Sequence, residues 1–179
     1  MEHVLTECNK PGQCKIWALA QTLWKLCTDH DWITPSLGLI LSYGLARMFD
    51  AHNKIDKPLM QFFQILTSES AYLIWKLRCE TPLSNADLSA TQGEIHNRWV
   101  HTINEQLTID HMLSSTQKLG PRTLSHHLLV STWCGALLNE DSLPKNWLTK
   151  RDIKVLVGIE PMRRTLPNSN HTNDPLNPS

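Results

Sequence analysis

Residues 59–80, LMQFFQILTSESAYLIWKLRCE, carry the strongest helical periodicity in the chain. Phe62, Ile65, Leu66, Leu73, Ile74 and Leu77 line one side of a helix, with Glu69, Lys76 and Arg78 left for the wet side. A polar stretch, 50–57, and then Pro58 precede it. Upstream, residues 12–28 place Ile16, Trp17, Leu19, Ala20, Leu23, Trp24, Leu26 and Cys27 at helical spacing, behind Pro11, which a helix start tolerates. Pro35, Gly38 and Gly44 interrupt 31–49, so Ser36 is expected to cap a shorter helix carrying the apolar run 37–41. Downstream, turn formers at 81–92 predict a loop. A helix over 93–117 follows, through Ile95, Trp99, Ile103, Leu107 and Met112, with a bend expected at the β-branched Thr108 and Ile109 and a stop at Gly120-Pro121. A last helix is expected over 124–138, with Leu128, Leu129, Thr132, Trp133, Ala136 and Leu137 on or beside its buried face. The short β-prone run 153–157 has no evident partner. The pattern predicts a mostly α fold, with about five helices packed as one irregular helical domain and no strand–helix alternation.

Composition narrows the function classes. The chain has 179 residues, enough for one ordinary domain, and its 41% apolar content is that of a folded protein. From Pro161 the sequence turns to proline and asparagine, so 161–179 is expected to be a disordered tail after a helical domain at 11–160. Basic and acidic residues both total 17, which removes the charge excess typical of a dedicated nucleic-acid binder. No apolar run approaches membrane length, and the acidic N-terminus does not resemble a signal peptide. Five cysteines without a CxxC pair read as reduced thiols of an intracellular protein, most of them small core residues, with nucleus and cytoplasm equally open.

The residues that invite catalytic readings do not assemble into a motif. There is no GxGxxG, GxxxxGK[ST], HExxH or GxSxG. His96, His101 and His111 are offset by five, ten and fifteen residues, and every five residues rotate about 140° on a helix, so they share no face and are expected to be solvated or capping. His126 and His127 diverge in the same way. Glu69, Glu80, Glu94, Asp110, Glu140 and Asp141 are scattered, so no catalytic residue and no enzyme is expected. Seven tryptophans are many for this length; five sit among Leu and Ile at helical positions, and core packing is the better reading than base stacking. His3 and Cys8 have metal logic, an imidazole and a thiolate, yet form only half a zinc site.

Those last residues belong to a wider pattern. The opening MEHVLTEC, NKPGQ at 9–13 with Ile16-Trp17 and Leu23-Trp24, SESAYLIWKLRCE at 68–80, EIHNRW at 94–99, Thr132-Trp133, EDSLP at 140–144 with Trp147, and VLVGI at 155–159 occur in order over about residues 1–160. This pattern resembles the C-terminal region of fungal non-LTR (LINE-like) retrotransposon polyproteins, which carry a reverse transcriptase and a ribonuclease H domain upstream. The resemblance makes 1–10 half of a truncated zinc-binding segment, with His3 and Cys8 as metal ligands. No cofactor is expected unless an upstream CxxC pair completes that zinc site. The resemblance further implies a non-enzymatic helical accessory module, a truncated remnant whose partner is the reverse transcriptase/ribonuclease H part of a longer polyprotein. A nucleic-acid-binding module using the zinc-segment remnant and the aromatic residues is the alternative. Neither the paired aspartates of a reverse transcriptase nor the carboxylate quartet of a ribonuclease H is present.

Overall fold

The apolar side of the 59–80 run finds a partner on every flank. A computed structural model of the chain describes residues 5–6, 11–80, 90–115, 123–144, 147–148 and 155–159. It contains α1 (Pro11–Cys27), α2 (Leu37–Ser42), α3 (Lys57–Glu80), α4 (Gln92–Ser115) and α5 (His126–Trp133). The fold is mostly α, as the periodicity predicts. Among the described residues the only β pairing is two isolated antiparallel bridges, Phe49 with Ile55 and Leu137 with Val157. His3, Cys8, most of the 81–92 loop, Gly120-Pro121 and the 161–179 tail lie outside the described residues.

α3 is central and packs against α1, α2, α4 and α5, while α4 also touches α1 and α5. Its buried side includes Phe62, Phe63, Ile65, Leu66, Leu73 and Ile74. Phe62 is the meeting point: Trp24 of α1 stacks on it with ring centroids 6.0 Å apart, and Trp133 of α5 meets it edge-on at 6.0 Å. Phe63 takes the edge of Trp24 at 5.7 Å and the tilted ring of Trp32 at 5.8 Å. Such offset and edge contacts suit the ring quadrupoles, beyond the area they bury. The indole N–H groups of Trp24 and Trp99 also have acceptors: Trp24 donates to the His30 carbonyl at 2.8 Å and Trp99 to Ser70 Oγ at 2.9 Å. Trp17 donates to the Leu5 carbonyl at 3.0 Å, which also accepts from Gln13 Nε2 at 2.7 Å and so fixes Leu5, six residues upstream of α1, to the helix.

Helix starts follow local chemistry. Ser36 caps α2 by accepting the Leu39 N–H at 3.2 Å, as its position predicts, and Thr91 does the same for the Glu94 N–H of α4 at 3.2 Å. α4 runs through Thr108 and Ile109 as one helix, and the Thr108 hydroxyl bonds back to the Asn104 carbonyl at 2.8 Å.

Several expectations need correction. α5 stops at Trp133 rather than Leu138, because Gly135 takes a left-handed φ of +76° and the chain turns there. This frees Leu137 to pair, and the β-prone run finds its partner: the Leu138 N–H bonds the Leu156 carbonyl at 2.8 Å and the Gly158 N–H bonds the Ala136 carbonyl at 2.7 Å. Leu26 and Met112, expected on buried faces, are exposed, and so is Trp75. Cys14, Cys79 and Cys134 are exposed and only Cys27 is half-buried, so the described cysteines are not core residues. His96, expected on the surface, is buried beside Ile95, Trp99 and Val100 on the inner face of α4. Glu69 is half-buried rather than fully wet.

Phe62→Ala removes the ring on which Trp24 and Trp133 both pack, and is expected to cost about 3–5 kcal/mol in urea unfolding. Leu41→Ser, on an exposed position of α2, is expected to change stability by less than about 0.5 kcal/mol. Equal effects at the two positions would contradict this packing.

Candidate functional site

Several polar groups of the interior act as fasteners. Asp110 lies seven residues after Ile103 and three after Leu107, so α4 carries it inward on the same face. Its Oδ2 accepts the Trp133 indole N–H at 3.0 Å and its Oδ1 accepts Gln106 Nε2–H at 2.9 Å. Burial pushes this carboxyl above its ordinary range, although both hydrogen bonds pull the other way. Glu69 on α3 is also raised, by burial first and then by the charges of Glu105 and Asp110. Raised carboxyls mark general acids in enzymes. Asp110, however, is buried and both its oxygens are occupied by the fold's own donors, so it holds α5 on α4.

Other fasteners join distant parts of the chain. Asn104 accepts the Val157 N–H at 2.8 Å, which ties the 155–159 segment to α4. Arg98 grips both oxygens of Glu80 at 2.7 and 2.8 Å, closing the end of α3 onto α4. That hydrogen-bonded pairing lowers the Glu80 carboxyl from its ordinary value. His111 donates through Nε2 to the Leu148 carbonyl at 3.0 Å, and His126 through Nε2 to the Ser114 carbonyl at 3.0 Å. His101 faces solvent beside Glu105 at 3.3 Å. The three histidines of α4 therefore do not converge, as their spacing predicts.

Among the described residues, no three His, Cys, Asp or Glu side chains are placed to hold a metal ion. His3 and Cys8 lie outside the described residues, and their one imidazole and one thiolate fall short of the donor set of a closed zinc site. No described helix is long and apolar enough to cross a membrane.

What the structure offers outward is surface. Between α1 and α3, Leu41 and Leu45 are 71% and 76% exposed, and Ile33, Tyr43, Phe49 and Ile55 are exposed with them. This segment is held firmly. Asp50 Oδ1 accepts the N–H groups of His52 and Lys54 at 2.8 and 2.9 Å, Asn53 supplies the left-handed residue of the turn, and the Phe49–Ile55 bridge sets these two side chains opposite each other. On the outer face of α3, Tyr72 and Trp75 are stacked at 5.9 Å with an interplanar angle of 29°, both exposed, with Lys76 and Cys79 beside them on that face. A groove of about 750 Å³ runs between α4 and the 155–159 segment, with Val100, Ile109, Met112 and Leu138 among its apolar lining and His101 and Glu105 among its polar groups. The helical spacing of 59–80 already places Tyr72, Trp75 and Cys79 on a common face opposite Phe62, Phe63 and Leu66, so this ledge was accessible to sequence reasoning.

Comparison of the chain with protein-family models, with curated proteins and with solved structures finds no match in any of the three.

The raised Asp110 carboxyl sets a sign for the pH dependence. The folded chain takes up this proton at higher pH than the unfolded chain, whose value is near 3.8. Its contribution to stability is therefore complete below that value and is lost as pH rises through the raised one. The stability of the wild type relative to Asp110→Asn is expected to be greatest in acid and to fall as pH rises through that window. Urea unfolding over a pH series checks it, and a difference that grows with pH would contradict it.

Proposed function

We infer that this chain is a non-enzymatic helical accessory module, a remnant of a retrotransposon-derived reverse transcriptase/ribonuclease H protein, acting inside the cell by packing against that polyprotein's catalytic part. The observation that carries the reading is the ordered apolar segment between α1 and α3, with Leu41 and Leu45 exposed. Apolar side chains held outward by hydrogen-bonded turns suit a surface that another domain covers. The ordered sequence resemblance over residues 1–160 supplies the identity of that domain. The buried Asp110, with both oxygens bonded within the fold, fits a structural use of this carboxylate better than a catalytic one.

Co-expression with the reverse transcriptase/ribonuclease H part of such a polyprotein tests the reading. The wild-type chain is expected to co-purify with it. Leu41→Asp/Leu45→Asp is expected to retain helical circular dichroism and to lose the interaction by at least about tenfold in affinity. Absence of co-purification by a folded wild-type chain would overturn the proposal.

A nucleic-acid-binding module is the second reading, through the zinc-segment remnant at His3 and Cys8 and through exposed aromatics. The Tyr72–Trp75 stack beside Lys76 favours it, since aromatic faces stack on unpaired bases. On this reading Trp75→Ala weakens binding of a single-stranded oligonucleotide by roughly tenfold, with the salt dependence of phosphate contacts. Unchanged or undetectable binding at low salt would remove it.

A further inference from the structure

The end of α1 and the turn after α5 lie side by side. Cys27 is the last residue of α1, and Cys134 is the first beyond α5. The next residue, Gly135, turns the chain with its positive φ, and a Cβ built on it would lie 3.5 Å from Cys27 Cα and 3.9 Å from Cys27 Cβ. Consecutive Cα atoms are about 3.8 Å apart, so the backbone that carries the Cys134 thiol runs beside the backbone that carries Cys27. Glu140 closes the cluster. Its Oε2 accepts the Gly135 N–H at 2.7 Å, which places its carboxylate beside Cys134. Cys27 is half-buried behind this turn, and Cys134 is open to solvent.

We propose that Cys27 and Cys134 form a modification site, a thiol pair that closes into an intramolecular disulfide between the end of α1 and the turn after α5 when a small-molecule disulfide such as oxidised glutathione is present. Two features order the steps. Burial, then the neighbouring Glu140 and Cys134, push the Cys27 thiol up to about 12, and burial and Glu140 also raise Cys134. Both are therefore held as thiols in neutral solution, and the exposed Cys134 is the one an outside disulfide reaches. Cys134 loses its proton to solvent and attacks one sulfur of the oxidised glutathione. A mixed disulfide forms on Cys134, and one glutathione leaves as a thiolate that takes up a proton. Cys27 then loses its proton and attacks Cys134 Sγ. The protein disulfide forms, and the second glutathione leaves and is protonated in turn. Two protein thiols are oxidised, one glutathione disulfide is reduced to two thiols, and no other reagent is consumed. Cys14 on α1 and Cys79 on α3 are exposed, and on this proposal they stop at the mixed disulfide.

The full chain carrying Cys8→Ser, incubated with oxidised glutathione at mildly alkaline pH, then alkylated, digested and mapped by mass spectrometry, tests this. The expected product is a peptide pair linked through Cys27 and Cys134, with a raised melting temperature that a reductant reverses. Cys27→Ser is expected to trap glutathione on Cys134, and Cys134→Ser, a change at an exposed position, to leave Cys27 unmodified. Glutathione retained on Cys134 in the presence of Cys27, or cross-links among other cysteines as the main product, would overturn the proposal.

Discussion

The indole of Trp133 has two needs that pull in different directions, and the fold is built around meeting both. Its ring requires apolar neighbours, which Phe62 supplies from α3, and its N–H requires an acceptor, which Asp110 supplies from α4. An unpaired N–H in that position would cost about 1–3 kcal/mol. α5 has only eight residues, too few for a helix that stands alone, so it exists because Trp133 is gripped from two sides. The carboxylate is itself costly to bury, which is why its proton affinity rises. Gln106 shares that cost by bonding the second oxygen. Through this one side chain, α3, α4 and α5 are fixed relative to one another, and the stack of Trp24 on Phe62 extends the same cluster to α1.

A core assembled in this way leaves its polar chemistry inside and its apolar surplus outside. Asp110, Ser70 and Asn104 are consumed by contacts between elements. By contrast, the segment from Ile33 to Ile55 and the Tyr72–Trp75 ledge place aliphatic and aromatic side chains in water on well-bonded backbone. Surfaces of this kind act by contact. That is the physical basis of the proposed accessory role, and it serves either a protein or a nucleic-acid partner.

How far the sequence could be read depended on whether a feature was local. The starts of α1 and α2 and the course of α3 were legible because Pro11, Ser36 and the Phe62–Leu77 periodicity act within a turn or two of themselves. The end of α5 was not. Ala136 and Leu137 keep helical spacing, and only the left-handed Gly135 and pairing with Val157, distant in the chain, decide against a helix. Reading 124–138 as helix also hid the one partner available to the 153–157 run. The buried His96 and Asp110 fell on the same inner face as Trp99, Ile103 and Leu107, so spacing alone held that signal; residue-type preference for the surface outweighed it. Of the candidate site, His3 and Cys8 lie outside the described residues, whereas the exposed ledge of α3 is the face opposite its apolar stripe, where Tyr72 and Trp75 follow from the same helical spacing.

The central claim is that the buried indoles of Trp24, Trp99 and Trp133, each with a named acceptor, hold the helices together around α3. Hydrogen exchange of the tryptophan side-chain N–H groups by NMR tests it most directly. Trp133, Trp99 and Trp24 are predicted to exchange slowly, at rates set by unfolding of the core, and the exposed Trp75 to exchange freely. Rapid exchange of Trp133 in a chain that is otherwise helical would contradict the account.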